Sequence, residues 1–302
     1  MINPVLYATT ALLWGTTWLP ITLHFGVVAP PVSLAYRLWI AAGVLMLWCV
    51  VRGDNLSYPK HAHFRFAQLG LFLFSLNYLL LYLGQVELTS GLIAVIFSML
   101  SVLNTINSAL FLGRAIEARM VGAALLGVSG LALVFADDLR HLGWSQLASV
   151  GLALAGTYSA SVGNIMSARS QTLGLPVLQA NAWGMAYGAI FMTLFSAATG
   201  LSFNFEMTLR YVGALLYLAV FGSIIGFGCY LTLIGRIGAA RAGYVSVMFP
   251  LVALTLSTWF EDYRWTPTAV LGTVLVLAGN LIVLMPRRTR EVPAASASGG
   301  GT

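Results

Sequence analysis

Tyr78, Tyr82 and Gln85 recur at i, i+4 and i+7 within one apolar stretch, so they share a helix face, with Asn77 beside them. Amide, hydroxyl and ring groups on one stripe can hold a small polar solute. The amides and hydroxyls bond its charged ends, and a ring stacks on its apolar part or covers a cation. The same mixture recurs along the chain. Ser98, Ser101, Thr105 and Ser108 form a stripe with Asn104 and Asn107 next to it. Thr157, Tyr158, Ser161 and Asn164 stand together, as do Asn181 and Trp183. Trp14, Thr17 and Trp18 lie in the first apolar run, and Tyr244 and Pro250 in a later one. Pro250, like Pro20, frees a backbone carbonyl and bends its helix, which suits a transport site and is also ordinary in membrane helices. Each Ser or Thr has the alternative of bonding back to its own helix. Asn77, Asn104 and Asn164 suit a wet cavity as well as a helix contact.

The groups that would support other chemistry are missing from these stretches. Lys60 is the single lysine and falls in a connection, which excludes a retinal Schiff base within a span. No Asp or Glu stands near the middle of an apolar run, so an intramembrane carboxylate dyad has no candidates. His61 and His63 sit together in a connection while His24 and His141 are isolated, so no metal set is expected, and no cofactor. A carrier of phosphates or nucleotides should place several cations in its cavity. Arg37 is the single deep cation: it either snorkels outward or pairs with an outer acid, or it touches the solute. The cavity is therefore expected to favour a neutral or zwitterionic solute.

These residues ride on a chain of 302 residues that is 59% hydrophobic and 8% charged. Soluble domains carry about 25% charged residues. The net charge of +6 is scattered rather than gathered on one face, which argues against nucleic-acid binding. Cys49 and Cys229 each lie in apolar surroundings and form no framework. A spanning helix needs about 20 apolar residues, and the expected spans are 5–24, 31–51, 64–84, 91–112, 118–136, 146–167, 177–199, 209–234, 242–260 and 267–285. The expected class is thus an all-α polytopic membrane protein with ten transmembrane helices. Residues 286–302 read as a disordered tail.

Basic residues fix the orientation. Arg52, Lys60, Arg65, Arg114, Arg119, Arg169, Arg236, Arg241, Arg287, Arg288 and Arg290 fall on one side of such a bundle. Most acids, including Glu87, Glu206, Glu261 and Asp262, fall on the other. Both termini are therefore expected in the cytoplasm. An internal repeat is also visible. Pro31-Val32, Ala35, Ala41 and Gly43 match Pro176-Val177, Ala180, Ala186 and Gly188, and Tyr78-Leu79 and Gly91 match Tyr230-Leu231 and Gly243, at offsets of about 145–152 residues. Residues 1–136 and 146–285 then form two five-span repeats joined by 137–145. Five spans per copy invert the second copy, an arrangement used for alternating access around a mid-membrane site.

Leu13-Trp14-Gly15-Thr16-Thr17 resembles the opening of EamA-type carriers of the drug/metabolite transporter superfamily. Arg37 with Ala41 and Ala42 is similar to that family's second span. Arg236-Ile237-Gly238-Ala239-Ala240-Arg241-Ala242-Gly243, followed by Phe249-Pro250-Leu251, Glu261 and Gly272, resembles its closing half. Arg114 replaces a Glu frequent in the family's loop, and Ser98 stands where the second repeat has Pro250. The resemblance covers about residues 8–285. It implies a bacterial inner-membrane exporter of small metabolites, with the family's aromatic amino-acid exporters as the best fit to the cavity chemistry. The expected partners are a small-molecule substrate and the bilayer, and a monomer suffices. An exporter of drugs, cationic dyes or nucleosides is the alternative, and a membrane enzyme or receptor the distant one.

Overall fold

The computed structural model describes residues 2–24, 26–112, 118–134, 144–243 and 245–284. The expected tail 286–302, most of the connection 137–145, and Tyr244 lie outside the described residues. Among those described, every regular element is helical. In chain order they are α1 (Ile2–Thr22), α2 (Pro30–Val51), α3 (Lys60–Gly84), α4 (Ser90–Leu112), α5 (Ala118–Val134), α6 (Trp144–Thr172), α7 (Val177–Ala198), α8 (Leu209–Ile237), α9 (Val245–Phe260) and α10 (Pro267–Leu284). A short turn, Ala239–Ala242, precedes α9.

The starts of these helices follow from local chemistry. Proline occupies the first turn of α2 and the N-cap of α3 and α7, where its missing N–H costs nothing. The Thr89 hydroxyl accepts from Leu92 N at 3.4 Å to cap α4, and Thr208 accepts from Tyr211 N at 3.2 Å to cap α8. α3 begins before its apolar run and α6 continues to Thr172, past the expected limit. Hydropathy marks only the length facing lipid, whereas helical hydrogen bonding in α6 continues until Gly174, which takes φ 80°. α2, α3, α4 and α8 are each long and apolar enough to cross a membrane.

Two helices change pitch midway. α3 is π-helical over Gly70–Leu76 and α8 over Leu218–Ile225. The packing partners also recur. α2 lies against α7 and α5 against α10; α1 packs on α9 and α4 on α6; α3 meets α6 and α1 meets α8. Within the last two pairings, the second contact is the first moved on by five helices.

Small residues let the helices approach, as membrane packing requires. Gly130 of α5 and Gly272 of α10 face each other: a Cβ on Gly130 would meet Gly272 O at 2.6 Å, and one on Gly272 would meet Gly130 O at 2.5 Å. Gly122 does not share this role, because nothing lies within 4 Å of its Cβ direction. Across the bundle the Glu261 carboxylate, at the end of α9, accepts from Ser90 N at 3.0 Å and from the hydroxyls of Ser90 and Ser257 at 2.5 and 2.6 Å. It thereby sits at the N-terminus of α4, where a negative charge is favoured.

Gly130→Ala should lower stability by about 1–3 kcal/mol, since the methyl meets backbone. Gly122→Ala should be neutral or stabilising by up to about 1 kcal/mol, since alanine is the better helix former. Thermal unfolding of the two variants in detergent compares them, and equal midpoints would contradict the packing described.

Candidate functional site

α1, α3, α4, α6, α8 and α9 surround a narrow cavity between their facing side chains. α1 contributes Trp14, Thr17, Trp18 and Ile21; α3 contributes Leu73, Asn77, Tyr78 and Leu81. Phe97 and Leu100 come from α4, Ala160 and Asn164 from α6, Phe227 and Tyr230 from α8, and Phe249 from α9. The two π-helical stretches aim part of this lining. Asn77 and Tyr78 follow the first at once, and Phe227 and Tyr230 follow the second. A π turn takes more residues per revolution, so the residues after it rotate about the helix axis, and such segments recur at functional sites.

Aromatic rings form most of the wall. Trp14 lies 4.7 Å from Phe227, 4.8 Å from Tyr230 and 5.8 Å from Phe249, and Trp18 lies 5.2 Å from Phe97, centroid to centroid. Trp14 is fixed by its indole N–H, which donates to Gly222 O at 3.0 Å. Gly226 leaves room for that indole, which a Cβ there would strike.

Asn104, Asn164 and Tyr230 form one connected polar set, while Asn77 and Thr17 bond back to their own helices. Asn104 Nδ2 donates to Ala239 O and to the Tyr230 hydroxyl, both at 3.4 Å. Asn164 Nδ2 donates to Asn104 Oδ1 at 3.2 Å and to the Tyr230 hydroxyl at 3.1 Å. Asn77 Nδ2 donates back to Leu73 O at 3.1 Å. Thr17 bonds back to Trp14 O at 3.0 Å.

Arg37 is neither snorkelling nor paired with an outer acid. It is 1% exposed, and among the described residues no carboxylate pairs with it. Its Nε donates to Ser223 Oγ at 2.9 Å, and its Nη2 and Nη1 donate to the Tyr78 and Tyr82 hydroxyls at 3.0 and 3.5 Å. The guanidinium also stands 4.4 Å from the centre of the Tyr78 ring. Tyr78 thus separates this charge from the cavity, whose described lining carries no formal charge. Glu261, an acid expected on the outer side, is engaged at α4 instead.

Of the residues picked from sequence, Trp14, Thr17, Trp18, Asn77, Tyr78 and Asn164 line the cavity. Asn104 stands directly behind Tyr230 and Asn164. Tyr82 is buried against Arg37, Ser161 accepts from Asn107 Nδ2 at 2.8 Å between helices, and Ser101 and Pro250 are buried off the lining. Two candidates lie away from this lining. Tyr158 is 47% exposed, because the buried face of α6 runs through Thr157, Ser161 and Asn164 and Tyr158 lies a further 100° round the helix. Trp183 donates to Leu56 O at 3.1 Å and packs 4.6 Å from the His63 ring, away from the cavity. Phe97, Phe227, Tyr230 and Phe249 were not among the candidates. Tyr230 carried a signal, since Tyr230-Leu231 matches Tyr78-Leu79 in sequence; an isolated Phe in an apolar run carries none.

The sequence profile of the EamA-like transporter family matches residues 3–136 and again 141–285. "Protein PagO" of Salmonella typhimurium (strain LT2) is 24% identical over 288 residues, 94% of this chain and 93% of that protein. "Uncharacterized inner membrane transporter YedA" of Escherichia coli (strain K12) is 28% identical over 292 residues, 93% of this chain and 92% of that one. "Probable amino-acid metabolite efflux pump" of the same strain is 23% identical over 297 residues, covering 95% and 96%. A solved crystal structure shares the fold, with a TM-score of 0.71 at 17% identity over 94% of this chain and 97% of the other.

Tyr230→Phe should cost about 1–3 kcal/mol, because it removes the hydroxyl to which Asn104 and Asn164 both donate. Tyr158→Phe should change stability by less than about 0.5 kcal/mol. Denaturation midpoints in detergent measure both, and a silent Tyr230→Phe would contradict the network.

Proposed function

The chain belongs to the EamA-like transporter family, and from that premise we propose that it exports amino acids with apolar side chains, aromatic ones included, or related small metabolites across a bacterial inner membrane. One observation carries this reading: the cavity offers amide and hydroxyl groups and a wall of rings, yet no formal charge among its described lining. A zwitterion needs hydrogen-bonding partners at two opposite charges and adds no net charge to the site. An apolar side chain gains by leaving water for the rings. A relative named as a probable amino-acid metabolite efflux pump fits the same solute class.

The mechanism is alternating access between two inverted five-helix repeats, residues 1–136 and 146–285. The doubled family match and the recurrence of packing pairs five helices apart support the duplication. The separation of basic from acidic connections supports cytoplasmic termini. The described lining holds no carboxylate to carry a proton, so the solute moves down its own gradient. Among competing substrates, cationic dyes and drugs would be served by a carboxylate, and the described lining holds none.

Counterflow in proteoliposomes loaded with single amino acids tests this directly. Phenylalanine, tryptophan and other apolar amino acids should exchange, with no imposed pH gradient, and acidic or basic ones should exchange at least about tenfold more slowly. Uptake that needs a pH gradient at equal solute concentrations would contradict the facilitator mechanism, and exchange of dyes but not amino acids would contradict the substrate class.

A further inference from the structure

Asn77 and Asn164 each leave a side-chain oxygen unused. Both are fully or nearly buried, at 2% and 0% exposure, and both line the cavity. Among the described residues, neither Oδ1 has a hydrogen-bond partner. A buried amide acceptor without a partner costs about 1–3 kcal/mol, so such atoms call for an explanation.

Amide oxygen and nitrogen are easily interchanged, so the identity of the free atom has to be argued. Here the neighbours fix it. The second polar atom of Asn77 faces Leu73 O, an acceptor, so it must be the NH2. Asn104 is fixed in the same way by Ala239 O, which presents Asn104 Oδ1 to Asn164. Asn164 must therefore turn its NH2 toward that oxygen. Flipping either Asn77 or Asn164 would set two acceptors against each other. The atoms left open are carbonyl oxygens, on α3 and α6.

We infer that these two oxygens are the receptor for a protonated primary amine on the substrate. An ammonium brings three donors and a positive charge, the chemistry that a buried amide acceptor lacks. The rings of Trp14 and Tyr230 belong to the same lining, with negative faces that favour a cation. The same lining also offers a donor. The Trp18 indole N–H is a buried donor with no partner among the described residues, one helix turn beyond Trp14 on the same lining. A carboxylate oxygen is the acceptor that this N–H lacks. The polarity of the site therefore orders an α-amino acid, amine toward Asn77 and Asn164 and carboxylate toward Trp18. This assignment rests on the exporter reading for its solute class, but the amine requirement stands on the two oxygens alone.

The test uses the full chain in lipid nanodiscs and three probes of one size: phenylalanine, phenethylamine, which lacks the carboxylate, and 3-phenylpropionate, which lacks the amine. Calorimetric titration should show binding of phenylalanine and phenethylamine, with 3-phenylpropionate at least about tenfold weaker. Asn77→Leu should weaken phenylalanine at least about tenfold. Asn77→Asp keeps the size of the side chain and puts a carboxylate in the same place, so phenethylamine should bind about tenfold more tightly to it than to the native protein. Equal binding of 3-phenylpropionate and phenylalanine to the native protein would overturn the inference, as would an Asn77→Asp variant that loses phenethylamine as Asn77→Leu does. The two readings fail separately. Amino-acid counterflow with 3-phenylpropionate competing equally leaves the exporter and removes the amine receptor. Phenethylamine binding that depends on Asn77, without counterflow of any amino acid, removes the exporter and leaves the receptor.

Discussion

Hydrocarbon offers no water to an amide, so Asn77, Asn104 and Asn164 can stand within apolar helices only where other helices or a solute supply partners. That constraint organises the bundle. It turns the polar faces of α3, α4 and α6 toward a common interior and joins Asn104, Asn164 and the Tyr230 hydroxyl into one set. It also accounts for Arg37. A guanidinium with no carboxylate partner among the described residues is tolerable because Ser223, Tyr78 and Tyr82 accept its N–H groups and the Tyr78 ring faces it. The satisfied groups build the frame, and the few unsatisfied ones mark where a solute would complete it.

Packing supplies the rest. Helices in lipid gain little from burying apolar surface against one another, so they hold by close approach. The Gly130–Gly272 contact does this between α5 and α10, while the glycines of α8 admit the Trp14 indole and the Arg37 guanidinium. The π-helical stretches of α3 and α8 sit just before the residues these helices present to the cavity. Local pitch, rather than composition, sets which side chains face inward there.

Sequence patterns revealed the helical class, several apolar helices and the polar faces, because apolar length and helical spacing are both periodic signals. They located Trp14, Trp18, Asn77, Tyr78 and Asn164 on the lining. Periodicity failed at Tyr158, which is one residue off a correct face, and at Trp183, whose N–H is taken by Leu56 O. It could not single out Phe97, Phe227 or Phe249, since an inward Phe and a lipid-facing Phe look alike in an apolar run. Nor could it foresee the surroundings of Arg37, because hydroxyl acceptors from α3 and α8 gather only in three dimensions.

The central claim is that the solute binds inside this uncharged, ring-lined cavity. Electron cryomicroscopy of the protein saturated with phenylalanine tests it most directly. The account predicts ligand density bounded by Trp14, Asn77, Asn164 and Tyr230. Density in another crevice, such as that lined by Lys60, His61, Arg65 and Arg169, with this cavity filled by collapsed side chains, would contradict it.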